Sequence, residues 1–180
     1  MRIISGTMKG RKLIAPPGRD VRPTSDKVKG AIYNILTDRI KESTFLDLYA
    51  GSGSVGIEAL SRGAGLVVFV DHDKGPLRSL RKNIPTGAFE GRYQIIETSA
   101  SKFIRRTKKL FDFIFIDPPY ASDEIEKILP RLKQGDIMAQ GSELIFEHHH
   151  LRPLPEEMET LFLIKKYKYG ETLLSFYGRK

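Results

Sequence analysis

The chain alternates short apolar runs with amphipathic segments over most of its length. The apolar runs predict strands near residues 44–48, 66–71, 93–97, 111–117 and 142–147. The segments between them predict helices near residues 54–62, 74–83, 99–107 and 123–133, after a first helix that Thr24 or Ser25 caps and that runs to about Thr37. This alternation is typical of a doubly wound α/β fold with a mostly parallel sheet.

The two ends of the chain depart from the alternation. Residues 160–168 and 171–178 are strand-like runs separated only by Tyr169-Gly170, and so short a link permits only an antiparallel pair. Residues 2–5 and 11–15 predict a small hairpin. We therefore expect a seven-stranded, mostly parallel sheet that ends in an antiparallel hairpin, preceded by a small basic hairpin and a helix.

The motif Asp117-Pro118-Pro119-Tyr120 closes the apolar run 111–116, so it lies at the carboxyl end of a buried strand. Ligands of open α/β sheets bind at that edge. The Asp117 oxygen and the Pro118 carbonyl can accept the two hydrogens of an exocyclic amine, and Tyr120 can cover the face of a flat base. The motif therefore favours a heterocyclic amine as the reacting group, against the simpler reading of a strand followed by a turn.

A glycine-rich turn follows the predicted strand 44–48 and opens a helix. It reads Asp47-Leu-Tyr-Ala50-Gly51-Ser52-Gly53-Ser-Val-Gly56, and Asp71 stands twenty residues after Gly51 at the end of the next strand. This spacing is typical of a nucleotide-cofactor turn whose later acid binds ribose hydroxyls. A dinucleotide is one candidate, but its pyrophosphate would meet the Asp47 carboxylate. S-adenosylmethionine carries no phosphate and two cationic groups, so it agrees better with Asp47.

Together these residues resemble class I S-adenosylmethionine-dependent methyltransferases that act on amino nitrogens. The head of the chain narrows the resemblance: Arg2-Ile-Ile-Ser-Gly6, Lys9-Gly-Arg11-Lys12-Leu13, Arg22-Pro-Thr24 and the segment Asp26–Leu36 are similar to the start of the RsmD-type 16S ribosomal RNA guanine-N2 methyltransferases. The resemblance covers nearly the full length. It implies a Rossmann-like methyltransferase fold, S-adenosylmethionine as cofactor and the guanine N2 amine as acceptor.

The resemblance also assigns roles to residues. It implies that Asp117, Pro118, Pro119 and Tyr120 are catalytic, and that the cofactor contacts Asp47, Ala50, Gly51, Ser52, Gly53, Gly56, Asp71, Ser99 and Ala100. Two positions depart from the family. Gly30 stands where an acidic residue is common, and Ser99 replaces the usual aspartate that meets the adenine.

Composition agrees with an amine acceptor. The chain contains no cysteine, which excludes a disulfide framework, a cysteine-based zinc site and the covalent thiolate step that carbon-5 methylation of pyrimidines usually needs. It has no signal-peptide pattern and no apolar run of roughly 20 residues, so we expect a cytoplasmic protein without a membrane segment. We expect one domain, with residues 1–40 as a basic extension and 41–180 as the catalytic core, acting as a monomer.

The net charge of +8 is concentrated at the two ends. Residues 1–30 carry +6 and residues 161–180 carry +4, whereas residues 31–160 carry −2. A basic head on a near-neutral body predicts a polyanionic partner, here ribosomal RNA or the small ribosomal subunit. The candidate contacts in the head are Arg2, Lys9, Arg11, Lys12, Arg19 and Arg22. Lys166 and Lys168 lie in an alternating strand and are interpreted as a solvated sheet face.

Other functions stay open at the level of sequence. Adenine N6 or cytosine N4 methyltransferases of DNA or RNA share the Asp-Pro-Pro-Tyr motif, and protein glutamine methyltransferases use a related one. A non-catalytic RNA-binding module is the alternative from another class. The run His148-His149-His150 lacks the helical spacing of a metal site, so we predict no metal there.

Overall fold

The structure is a computed structural model that describes residues 1–16, 24–119, 123–132, 134 and 136–179. The helices are α1 (Asp26–Leu36), α2 (Ser54–Ser61), α3 (Lys74–Asn83), α4 (Ala100–Arg106) and α5 (Glu124–Leu132), with a 3-10 turn at Thr37–Ile40. The strands are β1 (Thr44–Leu48), β2 (Leu66–Asp71), β3 (Tyr93–Glu97), β4 (Phe111–Ile116), β5 (Met138–His149), β6 (Glu157–Met158), β7 (Leu161–Tyr169) and β8 (Thr172–Arg179).

The described strands form one eight-stranded sheet in the order β3-β2-β1-β4-β5-β8-β7-β6. Strands β1 to β5 run parallel to one another, and β8, β7 and β6 are added in antiparallel fashion. The doubly wound class and the terminal hairpin are confirmed. The strand order reverses between β1 and β4, which makes this point the topological switch of the sheet.

Two details of the predicted sheet are wrong. The seven-strand count omits β6, a two-residue edge strand too short to show any periodicity. The fifth strand was expected over 142–147 but extends from Met138 to His149. Its early part pairs with Phe111 across a register shift between Phe111 and Phe113, and a break of this kind hides the strand from an alternation pattern.

Alternating side chains of the central strands divide between two apolar cores, one on each face of the sheet. Phe45, Phe69 and Phe115 point to the face covered by α1, α2 and α3, called here the α1 face. Leu46 and Ile114, which alternate with them, point to the face covered by α4 and α5. Both faces of the central strands are therefore buried, as expected of a parallel sheet.

Helix α1 crosses the α1 face above the switch point. The Ser25 hydroxyl accepts a hydrogen bond from the Val28 N–H at 3.2 Å, which confirms the predicted cap. Tyr33 is buried, and its hydroxyl donates to the Val55 carbonyl at 2.6 Å. The Thr24 hydroxyl, two residues before α1, donates to Asp117 after β4, so the amino end of α1 lies at the carboxyl edge of the sheet.

The predicted N-terminal hairpin is present as an antiparallel pairing of residues 1–3 with 11–13. A single bridge joins Arg2 and Lys12, and the Ile3 N–H donates to the Arg11 carbonyl at 2.9 Å. Among the described residues, no helix is both long and apolar enough to span a lipid bilayer.

Candidate active site

The glycine turn and the Asp117 motif leave the sheet side by side. The turn follows β1, the motif follows β4, and these strands are parallel neighbours with Leu48 paired to Ile116. Asp71 ends β2, on the other side of β1. The structure thus brings together, at the switch point, three groups that are up to 70 residues apart in the sequence.

The glycine turn is built so that a ligand can approach its backbone. Gly51 and Gly53 have φ values of 56° and 77°, in the left-handed region that favours glycine. A Cβ atom at Gly51 would meet nothing closer than the Tyr49 carbonyl oxygen at 3.9 Å, so the outer side of the turn is open. At Gly56 a Cβ atom would lie 2.3 Å from the Phe69 ring, so α2 packs tightly on the sheet behind the turn. The turn fits a nucleotide-type cofactor.

Asp47 lies beneath this turn instead of facing a ligand. Its side chain is buried, and one carboxyl oxygen accepts a hydrogen bond from the Gly56 N–H at 2.8 Å. Burial raises the pKa of Asp47 to about 8; the Gly56 hydrogen bond opposes the rise and the charge of Asp71 adds to it. The expected negative charge at the ligand surface is therefore wrong, because near neutral pH the group is mostly protonated and directed at α2.

Asp71 is attached to the same turn. One of its carboxyl oxygens accepts from the Gly51 N–H at 2.8 Å, and the other accepts from the Asp73 N–H at 2.9 Å. These bonds fix the carboxylate at the end of β2, beside the open side of the turn. Its predicted contact with ribose hydroxyls stays a prediction.

The remaining predicted cofactor residues surround the turn. Ala50 and Ser52 are buried within it. Ser99 caps α4, where its hydroxyl accepts from the Lys102 N–H at 3.4 Å, and Ala100 is buried behind it. The Thr98 N–H donates to the Asp71 carbonyl at 2.9 Å, so the start of α4 lies next to the end of β2. The cap role of Ser99 leaves its hydroxyl hydrogen available to a ligand.

Asp117 is partly buried under the amino end of α1. The Thr24 hydroxyl donates to one of its carboxyl oxygens at 3.4 Å. Burial raises the pKa of Asp117 well above its usual range, the charges of Glu147 and Asp47 raise it further, and the Thr24 hydrogen bond opposes them. Pro118 is buried and Pro119 is exposed. Tyr120 lies outside the described residues.

Glu147 is a site residue that sequence reasoning left unassigned. Ile116 pairs with Phe146 in the parallel register of β4 and β5, so Asp117 and Glu147 occupy the next positions on adjacent strands and point to the α1 face. Glu147 is buried. The two residues are thirty positions apart, and only the strand register reveals their proximity. Thr24, interpreted from the sequence only as a candidate cap, is a second group that the fold adds to the site.

Comparison with known proteins agrees with this geometry. The family model described as "Conserved hypothetical protein 95" matches residues 1–178. Ribosomal RNA small subunit methyltransferase D of Haemophilus influenzae is 34% identical over 157 residues, covering 86% of this chain and 81% of that protein. The Escherichia coli (strain K12) protein of the same name is 29% identical over 180 residues, covering 100% and 90%. The solved structure of Escherichia coli YhhF, 29% identical, superposes with a TM-score of 0.88 over 100% of this chain and 98% of that one.

The chain belongs to the RsmD-type rRNA methyltransferase family. The resemblance drawn from the sequence is confirmed, and so is the expectation of an enzyme. In an RsmD-type chain the glycine turn and the residues Asp117, Pro118 and Pro119 are expected at one edge of the sheet, which is where the structure has them.

The basic residues proposed for the RsmD-type head lie on the surface of the N-terminal hairpin. Arg2, Lys9, Arg11 and Lys12 are exposed, and the Arg2 guanidinium lies 3.4 Å from the Asp26 carboxylate. Arg19 and Arg22 lie outside the described residues. The four described side chains are therefore available to a polyanion.

A buried ionic cluster attaches this hairpin to α2. The Glu58 carboxylate accepts hydrogen bonds from the Ile4 and Ser5 N–H groups at 2.7 and 2.9 Å, and it pairs with Arg62 at 2.8 Å. The Lys29 ammonium lies 3.9 Å from the same carboxylate and donates to the Arg2 carbonyl at 2.5 Å. Burial lowers the pKa of Lys29, and the charges of Glu58 and Asp26 oppose this effect. Sequence reasoning missed the cluster.

Asn83 connects the hairpin to the glycine turn. Its side chain exchanges two hydrogen bonds with the backbone of Ile14, at 2.7 and 3.1 Å, and donates to the Ser52 carbonyl at 3.0 Å. A single asparagine at the end of a predicted helix indicates only that the helix ends there. The sequence therefore did not predict that Asn83 bonds the hairpin to the glycine turn.

The histidine run has structural contacts. The two ring nitrogens of His148 lie 2.9 Å from the Arg152 carbonyl and 2.9 Å from the Ser175 hydroxyl, and burial lowers its pKa. Within the described part of the chain, no three His, Cys, Asp or Glu side chains are grouped so that they could hold a metal ion.

Proposed function

We propose that this chain transfers a methyl group from S-adenosylmethionine to the N2 amine of a guanine in 16S ribosomal RNA of the small ribosomal subunit. It acts in the cytoplasm as a monomer, with residues 1–40 as the RNA-binding extension and 41–180 as the catalytic core. The relatives named ribosomal RNA small subunit methyltransferase D support the substrate.

One observation carries the proposal. The Asp117 carboxyl and an open glycine turn follow two neighbouring parallel strands at the switch point of the sheet. S-adenosylmethionine supplies, when bound, a methyl group on a positively charged sulfur. The open side of Gly51 lets it lie against the backbone of the turn that Gly53 and Gly56 shape, and Asp71 accepts hydrogen bonds from ribose hydroxyls in this proposal. No phosphate-binding lysine is needed, which agrees with the composition of the turn.

Asp117 and the Pro118 carbonyl orient the acceptor. By accepting both N–H hydrogens of the guanine amine, they direct the nitrogen lone pair at the methyl carbon. Bound there, S-adenosylmethionine would supply the methyl group: the nitrogen–carbon bond would form as the carbon–sulfur bond breaks, and the bonding pair would go to the sulfur of the leaving S-adenosylhomocysteine. Holding the two reactants in line can contribute roughly 7 to 11 kcal/mol, more than any single hydrogen bond.

Asp117 also has a role after methyl transfer. The methylated nitrogen is cationic and loses one proton, which moves to Asp117 or to water. Burial and the neighbouring Glu147 raise the pKa of Asp117, and a raised pKa makes its carboxylate a better proton acceptor. The carboxylate form is the active one, so the rate should rise with pH across this raised pKa.

The proposal is tested by adding labelled S-adenosylmethionine to small subunits that lack the modification. Nucleosides from the 16S RNA are then separated by mass. N2-methylguanosine as the labelled product supports the proposal. Label on adenine or cytosine would mean that the enzyme methylates an amino group of a different base. Label on protein glutamine would mean that the acceptor is a protein and not RNA. Absence of label in every fraction would leave only an RNA-binding module.

A further inference from the structure

The β7–β8 hairpin ends at the catalytic edge of the sheet. Thr172, the first residue of β8, pairs with His149 at the carboxyl end of β5 and with Tyr169 at the end of β7. The connecting residues Gly170 and Glu171 therefore lie at the same edge as Asp117, two strands away from it in the order β4-β5-β8. The tip of the hairpin therefore lies at the edge of the sheet that carries the site.

One face of this hairpin is continuous with the face that carries Asp117. Lys165, Tyr167 and Tyr169 pair with Phe176, Leu174 and Thr172. Phe176 and Leu174 belong to the same apolar core as Phe115, so these side chains point to the α1 face. Lys166 and Lys168 alternate with them and point to the opposite face, so lysines on the two faces of the same strand can be compared directly.

Lysine and tyrosine side chains are interleaved on the α1 face. The Lys165 ammonium lies 5.2 Å from the centre of the Tyr167 ring, and the Lys27 ammonium of α1 lies 5.9 Å from the centre of the Tyr169 ring. Both lysines are exposed and both rings are partly exposed. We call these four residues, Lys27, Lys165, Tyr167 and Tyr169, the lysine–tyrosine band.

The β7 part of the band and the N-terminal hairpin lie on opposite sides of β4, the strand that Asp117 follows. The N-terminal hairpin is bonded to α2, which packs on β1 and β2, whereas the band adjoins β8 beyond β5. A base that reaches Asp117 from an RNA strand has neighbours on both sides. One basic surface can hold only one of the two flanking segments.

We propose that the lysine–tyrosine band is a second contact surface for single-stranded RNA, which holds the nucleotides on the far side of the target base from the N-terminal hairpin. The inference rests on the proposed RNA substrate and extends it. Its lysines bind phosphates, and the exposed parts of its tyrosine rings offer stacking surfaces to bases. Lys27 and Lys165 give this surface its positive charge, and strand β7 contains no acidic residue that would cancel it.

The test compares two double variants of matched charge. Lys27→Ala/Lys165→Ala removes the ammonium groups of the band, and Lys166→Ala/Lys168→Ala removes two from the other face of the same hairpin. Binding to a fluorescein-labelled single-stranded 20-nucleotide RNA is measured against salt. On single strands each lost phosphate contact reduces the slope of log K against log salt by about 0.7, so the band variant should lose about 1.4 in slope and bind about 25-fold more weakly at 0.1 M salt.

The control variant should retain the slope of the wild type. Equal losses in both variants would show a general effect of charge and overturn the band as a specific surface, and an unchanged slope in the band variant would overturn it outright. Tyr169→Leu should weaken binding and Tyr169→Phe should not, because stacking needs the ring. The thermal midpoint of each variant is measured to confirm that it is folded.

Kinetics on small subunits separate this inference from the proposed function. If the wild type methylates the subunits and the band variant is equally active, the band is not an RNA contact surface, while the proposed methyltransferase function is retained. If the wild type methylates no RNA, the proposed function fails, and the binding slopes still decide whether the band contacts RNA. A loss of activity on subunits with normal binding to the naked strand would assign the surface to a ribosomal protein and overturn the proposal.

Discussion

Asp47→Asn should make the protein more stable at neutral and alkaline pH. Asp47 is 1% exposed and accepts the Gly56 N–H bond at the start of α2. An asparagine oxygen can accept the same bond, so the substitution removes only the ionisable group. In the folded protein the pKa of Asp47 is raised to about 8, whereas in the unfolded chain it is about 3.9.

The sign and the size of the effect follow from proton linkage. Between these two pKa values the folded protein binds a proton that the unfolded chain has released, so stability falls as pH rises. The slope approaches about 1.4 kcal/mol per pH unit, which gives the wild type a loss of roughly 2 to 3 kcal/mol relative to Asp47→Asn between pH 5 and pH 7. Above the folded pKa of about 8 the difference should level off.

Urea unfolding of the two proteins at half-unit pH steps measures this difference. Subtracting one unfolding free energy from the other cancels the titration of groups that do not interact with Asp47, provided that the m-values agree, and leaves the titration of Asp47 with its effect on Asp71 and Asp117. A difference that stays constant from pH 5 to pH 8 would mean that Asp47 ionises at its ordinary pKa, and the assignment of a buried, protonated carboxyl beneath the glycine turn would be wrong.

Three further outcomes are expected. Asp71→Ala removes a charged acceptor worth roughly 1.5 to 3 kcal/mol, so calorimetry should show S-adenosylhomocysteine affinity about ten- to a hundredfold lower, and an unchanged affinity would remove Asp71 from the site. Glu58→Ala leaves Lys29 buried without its partner and should lower the unfolding free energy by roughly 3 to 5 kcal/mol, more than Arg62→Ala does. Arg11→Ala/Lys12→Ala should flatten the salt dependence of RNA binding by about 0.7 per lost contact without changing cofactor affinity.

The sequence predicted the parts of the fold that local pattern encodes. Strands β1 to β4 were predicted within a residue of their bounds, and three of them, β1, β2 and β4, are short apolar runs buried on both faces. The glycine turn was recognisable because the left-handed backbone conformation at particular positions of the turn favours glycine, so the glycines recur at a fixed spacing. The Asp117 motif was recognisable because a carboxylate followed by two prolines is unusual at a strand end.

What the sequence could not predict depends on register and burial. Glu147 becomes a neighbour of Asp117 only through the pairing of β4 with β5. Asp47 was expected to face a ligand, and its burial under α2 follows from the close packing of Gly56 on Phe69. Lys29 belongs to a polar stretch of the α1 sequence, yet it is fully buried. Its ion pair with Glu58 and its hydrogen bond to the Arg2 carbonyl offset the cost of burying the ammonium group.

The hairpin at the end of the chain illustrates the same limit. Its lysines were interpreted as a solvated sheet face, and Lys166 and Lys168 are exposed as that interpretation requires. The position of its tip beside the catalytic edge is set by β8 inserting between β5 and β7, a topology that no local pattern specifies.

Single-turnover methyl transfer by the wild type and by Asp117→Ala tests the central claim most directly. Each protein is saturated with labelled S-adenosylmethionine and mixed with small subunits that lack the modification, while S-adenosylhomocysteine affinity is measured in parallel. The variant should bind the cofactor like the wild type, because the glycine turn and Asp71 are intact, and it should transfer no detectable label to guanine. Full transfer by Asp117→Ala would contradict the proposed role of Asp117 and the mechanism built on it.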